Sequence, residues 1–326
     1  MAVPIARQLA ALRRLLIHSI GVALLALAAG SVAADTRGLE HQGEKRRFLL
    51  HNGAAAAQAP MPLVVALHGY RSKEKVLAAG DDLSSLRWDP LDALASREGF
   101  LVAYPAALLG QWNLFEGLRD TTLDDGRPLD DVGFILAVIA RLVDDGLADP
   151  RRVYLTGFWD GAIMSYRLLC LAESPFAAAA PMGGTMAQTH RDACAAEAPS
   201  PVMVIAGTND LILPYDGWIF YAGREVSIPE TMEHFRLLHG CSGQESELRP
   251  DRNTNDNSRV REVRWTGCAR DGAVVLLRVE GGGHTMPSYE PVPEAWIEKG
   301  GGHNQDIEAV EEAWRFFGRF TRESGE

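Results

Sequence analysis

The stretch Gly157-Phe158-Trp159-Asp160-Gly161 is spaced like the turn that lifts a nucleophile out between a strand and a helix. Glycines two before and two after the central residue are needed there, because neighbouring backbone packs where side chains would stand. Two further residues also follow strand-like runs: Asp210 in "AGTNDLILPYDG" and His284 in "VEGGGHTMP". A bend, then an acid, then an imidazole suits nucleophilic attack on a carbonyl, with the imidazole taking the proton and the acid orienting it. The central position, however, holds Trp159, and an indole has no hydroxyl or thiol with which to attack and then leave.

Developing negative charge on a carbonyl oxygen needs backbone donors. "LHGY" supplies one candidate N–H at Tyr70, and Asp160, next to the bend, supplies the other. No neighbouring residue replaces the missing nucleophile. Moving the turn by one onto Asp160 places Phe158 and Ala162 at the flanking positions that must be small; Ser165 lies too far along the helix and Thr156 belongs to the strand. Trp112, in an irregular stretch (residues 106–129) long enough to be a lid, and Met286, just past the histidine, are the candidate substrate contacts, with core packing the competing reading for Trp112. Asp130 and Asp131 read as helix caps, and His303 in "GGHN" as a surface residue.

These residues need a frame to hold them. "PLVVALHG" (62–69), "FLVAYP" (100–105), "RVYLTG" (152–157), "PVMVIAG" (201–207) and "AVVLLRVEG" (273–281) are short apolar runs of the kind buried on both faces of a sheet. Helical patterns alternate with them: "DPLDALASREG", opened by an acidic cap, "DDVGFILAVIARLVDDG" with a 3.6-residue apolar period, and "NQDIEAVEEAWRFFGRF" near the end of the chain. Alternation predicts an α/β fold, a mostly parallel central sheet with helices on both faces, and such sheets carry their chemistry beyond the carboxyl ends of the strands. The polar stretch 242–262 between two cysteines reads as a tethered loop or hairpin, so residues 35–326 are expected to be a single domain.

Composition bounds the rest. With 47% hydrophobic and 23% charged residues, the 326-residue chain can bury a sizeable core. Residues 1–34, with Arg7, Arg13 and Arg14 before an apolar run and small residues in "SVAA", read as a signal peptide, which predicts a secreted or periplasmic protein with no membrane partner after cleavage. Removing that leader takes three arginines and no acid, so the remainder is more acidic than the −11 of the whole chain. Nucleic acid is excluded as a partner because no basic patch would meet phosphates. Four cysteines in an exported chain suggest disulfides, with local pairing Cys170–Cys194 and Cys241–Cys268 the expectation, each worth about 3 kcal/mol. Zinc is the rival, but no C-x-x-C pair or histidine at ligand spacing supports it, so neither metal nor cofactor is expected.

The order bend, acid, histidine is the chain order of α/β-hydrolases. Together with "PLVVALHGY", "GFLVAYP", "QWN", "DDVGFI", "RVYLTGFWDGAIMSYRLLC", "FAAAAPMGG", "HGC", "GGGHTMP" and "AWRFF", it makes residues 62–317 resemble the secreted polyhydroxybutyrate depolymerase and feruloyl esterase-like esterases. That resemblance implies a serine carboxylesterase acting on a small-molecule or oligomeric ester, such as hydroxyalkanoate oligomers or feruloylated sugars, with Asp210 as triad acid, His284 as base, and disulfides. Two departures stand out: Thr285-Met286-Pro287 replaces the usual Thr-Trp-Pro, and Trp159 stands where the family has serine. The implied reading is an ester hydrolase impaired as it stands; a secreted binding protein that reuses the pocket is the alternative.

Overall fold

The computed structural model describes residues 34–53, 60–70, 88–115, 121–123, 125–220, 223–269 and 272–323. The expected signal peptide falls almost wholly outside them. The described residues all belong to one compact unit, residues 33–326.

Its frame is a ten-stranded sheet. The apolar runs become β3 (Met61–Leu67), β4 (Leu101–Pro105), β5 (Ala148–Phe158), β7 (Val202–Gly207) and β12 (Val274–Glu280), each largely buried as strands covered on both faces must be. A sixth parallel strand, β6 (Ala178–Met182), fits between β5 and β7. The parallel order is β4-β3-β5-β6-β7-β12, and antiparallel strands close both sides: β2 (Glu44–Asn52) with β1 (Asp35–His41) beside β4, and β11 (Arg259–Thr266) with β10 (Gly243–Leu248) beside β12. The tethered polar segment is therefore the tip and arms of an edge hairpin. A small hairpin, β8 (Trp218–Phe220) with β9 (Gly223–Glu225), stands apart.

Helices cover the sheet: α1 (Asp89–Glu98), α2 (Asp131–Asp144), α3 (Asp160–Leu169), α4 (Gln188–Asp192), α5 (Ile228–Leu238), α6 (Glu294–Gly300) and α7 (Ala309–Phe317). None of the described helices is long and apolar enough to cross a membrane. Two apolar clusters lie on opposite faces of the sheet, one around Leu63, Leu155, Phe134 and Met164, the other around Val64, Tyr154, Phe316 and Phe317, because successive strand side chains point to opposite faces.

Expectations about charged residues change. Asp89 is the first residue of α1 rather than its cap, since Trp88 occupies the cap position with no side-chain bond. Asp130 does cap α2, accepting from Gly133 N at 2.8 Å, but Asp131 does not: it is buried, accepts from Arg46 Nη2, and takes the Asn113 amide at 2.7 Å. The disulfides Cys170–Cys194 and Cys241–Cys268 are both formed, across sequence separations of 24 and 27 residues. The described part of the irregular stretch after β4 packs into the core at Trp112, Leu114 and Phe115 instead of lying open as a lid.

Candidate active site

Parallel register brings the expected residues to one edge. Leu67 is level with Gly157, Phe158 with Met182, and Gly207 with Val279, so β3, β5, β6, β7 and β12 all release their loops on the same side. The bend falls at Trp159, with φ 59° and ψ −122°, a conformation that costs a side-chain-bearing residue free energy and persists only where surroundings impose it. Those surroundings are close. A Cβ at Gly157 would lie 2.2 Å from the Gly161 carbonyl oxygen, and one at Gly161 would lie 2.1 Å from that of Leu67, so both flanking glycines are obligatory. Phe158 could not take the place of Gly157 in a register shifted onto Asp160. Ser165 and Thr156 are spent as well, the first donating to Gly161 O at 2.7 Å and the second to Ala180 O at 2.8 Å, both buried.

Asp210 follows β7 and His284 follows β12, and the two meet: His284 Nδ1 donates to Asp210 Oδ2 at 2.7 Å. Asp210 Oδ1 accepts from the amides of Ile212 (2.8 Å) and Leu213 (2.7 Å), which fixes the carboxylate before the histidine uses it. The histidine loop is braced by the end of α6, with His284 N donating to Gly300 O at 2.8 Å. His303 belongs to this brace and not to the surface. It is buried, its Nε2 donates to Glu290 O at 2.9 Å, and its Nδ1 lies 3.1 Å from the hydroxyl of Thr285, the residue after His284.

His284 Nε2 is buried and has no hydrogen-bond partner among the described residues. The Trp159 ring stands 5.1 Å from the imidazole at 85°, with Phe158 at 5.0 Å on another side and Tyr70 at 6.1 Å from Trp159. Trp159 thus occupies the space in front of the acid–imidazole pair. Tyr70 is half exposed, its turn set by Gly69, where a Cβ would come within 2.9 Å of Trp159 Cβ. Asp160 opens α3, so its N–H belongs to the first turn, which has no intrahelical acceptors. Met286 is half buried beside Phe158 in a cavity of about 10 Å³. Trp112 offers a ligand nothing: it is 1% exposed, and its indole N–H donates to His68 O at 2.8 Å.

The structure adds an acid to this neighbourhood. Glu225, on β9, is buried, accepts from Thr185 Oγ1 at 2.8 Å, and is pushed up to about 7 by desolvation, with the charge of Asp210 adding to the rise. Asp160 is likewise raised to about 7, by desolvation first and Glu225 second. Nothing in a three-residue strand at the end of a hairpin marks Glu225 in the sequence.

No family model matches the chain. Among curated proteins it is 30% identical over 262 residues to "Putative esterase NocK" of Nocardia uniformis subsp. tsuyamanensis, covering 75% of this chain and 72% of that one. It is 25% identical over 250 residues to a bifunctional acetylxylan esterase/xylanase of Neocallimastix patriciarum and 27% identical over 201 residues to feruloyl esterase B of Piromyces equi. Those matches cover 76% and 58% of this chain, and span only 32% and 34% of the two relatives. Among solved structures, an acetyl xylan esterase from Aspergillus awamori superposes with a TM-score of 0.53 at 15% identity, over 81% of this chain and 98% of that one. A thermostable esterase gives 0.51 at 17%, over 89% and 63%. The sheet order and strand-end geometry are those of the α/β-hydrolase fold, and the chain belongs to the esterase family of its Nocardia relative.

Proposed function

We propose that this is a secreted carboxylic-ester hydrolase scaffold in which Asp210 and His284 are arranged to activate a hydroxyl at position 159, and that Trp159 closes the acyl-enzyme route. The observation that carries the reading is the juxtaposition at the bend: a residue at φ 59° beside an imidazole whose inner nitrogen is held by Asp210 and whose outer nitrogen has no partner among the described residues. With a serine at 159, the hydroxyl proton would pass to His284 Nε2 as the oxygen attacks the ester carbonyl carbon. The oxyanion would be received by the N–H groups of Tyr70 and Asp160. The imidazolium would then return the proton to the departing alcohol, and water would repeat the sequence to release the acid. With the indole present there is no atom to form the first bond, and the ring fills the space the carbonyl needs. The ester is of the acetylated or feruloylated polysaccharide or hydroxyalkanoate kind, a reading supported by the activities for which the relatives are named and by the motifs shared with depolymerase-like esterases.

A second reading, a binding protein without turnover, draws on the aromatic group itself: Trp159, Tyr70 and Phe158 form a wall that can hold a planar ligand. A fluorophosphonate probe separates the two. Labelling of the Trp159→Ser variant, but not of the unmodified chain, supports the hydrolase scaffold; no labelling of either, with a retained aromatic ligand, supports the binding protein.

A further inference from the structure

The side of α3 remote from the bend carries a second cavity of about 390 Å³, walled by Leu114, Phe115, Arg167, Leu171, Thr189 and His190 among others. Arg167 lies eight residues beyond Trp159, about 12 Å further along the helix at 1.5 Å per residue. None of Trp159, Asp210 and His284 lines it.

Arg167 gives the cavity its chemistry. Its Nη1 donates to Asn113 O, and no carboxylate among the described residues pairs with it. Arg46, Arg141, Arg224, Arg249 and Arg261 are each bonded to a carboxylate, whereas Arg167 keeps its charge for another partner. A half-buried guanidinium with unused N–H groups beside apolar walls favours a planar anion, which it can grip through two parallel bonds. The rest of the lining suits a flat apolar body. Phe115 and His190 lie nearly parallel, 14° apart with centroids at 6.0 Å, and Leu114 and Leu171 extend the apolar lining. His190 is nine-tenths buried, its Nε2 donates to Leu114 O at 2.7 Å, and its Nδ1 has no partner among the described residues. Burial lowers this imidazole to about 4, with Arg167 pushing the same way, so at neutral pH the ring adds no charge to the wall. The exposed Thr189 hydroxyl at the mouth is a further donor. The volume is that of a small-ligand site.

We propose that this cavity binds an aryl carboxylate, its carboxylate on Arg167 and its ring against Phe115 and His190. The site is independent of turnover at position 159, so its test does not depend on esterase activity.

The probe is trans-cinnamate, titrated calorimetrically into the unmodified chain at pH 8, with cinnamyl alcohol as its uncharged counterpart. Saturable one-to-one binding of cinnamate, at least tenfold tighter than the alcohol and weakened by salt, is expected. Arg167→Met, which keeps the apolar stem, should weaken it at least tenfold. Thr189→Trp, an exposed change that fills the mouth without touching the core, should do the same even if the arginine variant folds poorly. Absence of saturable binding overturns the proposal. So does binding that survives both changes but is lost in His284→Ala, which would put the probe beside Trp159 instead.

Discussion

His68 and His284 both lie buried at the carboxyl edge of the sheet, 4% and 7% exposed, and they differ in how much of each ring the protein uses. At His68 both nitrogens are engaged: Nδ1 donates to Gly69 O at 2.7 Å, and Nε2 accepts from Ala107 N at 3.1 Å. At His284 only Nδ1 is engaged. Leaving a buried polar atom unmet costs about 1–3 kcal/mol, so closure of the first ring is what stability alone would select. On the function proposed above, the open nitrogen of the second is the one that a serine hydroxyl at position 159 would use. One histidine shapes the turn that ends in Tyr70; the other is poised for a partner that Trp159 cannot be.

The most forceful way to sharpen that contrast is to supply the partner. Trp159→Ser should raise p-nitrophenyl butyrate hydrolysis by at least about 10³-fold, since triad chemistry contributes more than that over what binding and oxyanion donors give alone. Adding His284→Ala should remove the gain. If the unmodified chain already hydrolyses the ester and Asp160→Asn abolishes it, the bend has been assigned to the wrong residue.

The closed side rests on a buried ion pair, and breaking it should cost stability instead of rate. Asp131 holds Arg46 and the Asn113 amide, and the neighbouring Trp112 donates to His68 O. Asp131→Ala leaves Arg46 buried and uncompensated, an expected loss of about 3–5 kcal/mol in urea unfolding. Arg46→Met combined with Asp131→Leu should recover much of it. A loss below about 1 kcal/mol for the single change would mean the pair is not buried in solution.

The open histidine is legible in the sequence and the closed network is hidden, for a physical reason. The bend, Asp210 and His284 each follow an apolar strand whose own pattern marks it, and glycine spacing marks the turn. The Asp131–Arg46 pair joins residues 85 apart, and an acid next to a helix start looks like a cap. β6 does not stand out as a strand because Ala-Ala-Ala-Pro-Met has little hydrophobic signature, although its small side chains fit the crowded centre beside the elbow; β10, "GQESEL", is an edge strand almost wholly exposed. Helix α5 is legible too: the reciprocal Ser227–Glu230 capping box opens it, and Ile228, Thr231, Met232 and Phe235 fall at helical spacing on its buried face.

Single-ring deletions should then separate the two histidines. His68→Ala orphans the buried Ala107 amide, and about 1–3 kcal/mol should be lost. His284→Ala orphans no backbone donor, and Asp210 retains the amides of Ile212 and Leu213, so the loss should be smaller, as paired urea unfolding curves would show. Equal losses would erase the distinction between a closed and an open ring.

The gentlest effect concerns the acids behind the open ring. Glu225 and Asp160 are both raised to about 7 by burial, with Asp210 adding to the first and Glu225 to the second, and Thr185 partly opposing the shift at Glu225. In the unfolded chain both would release their protons near pH 4. Between about pH 4 and 7 the folded state therefore holds protons that the unfolded state has given up. Their contribution to stability is full below about pH 4, falls as pH rises, and levels off above about 7. Glu225→Gln carries no titrating proton and relieves Asp160 of a neighbouring charge, so its stability should fall less steeply across that window. Unfolding free energies at pH 5 and pH 8 for the two chains measure the difference, and parallel slopes would show that these carboxyls are hydrated and titrate at ordinary values.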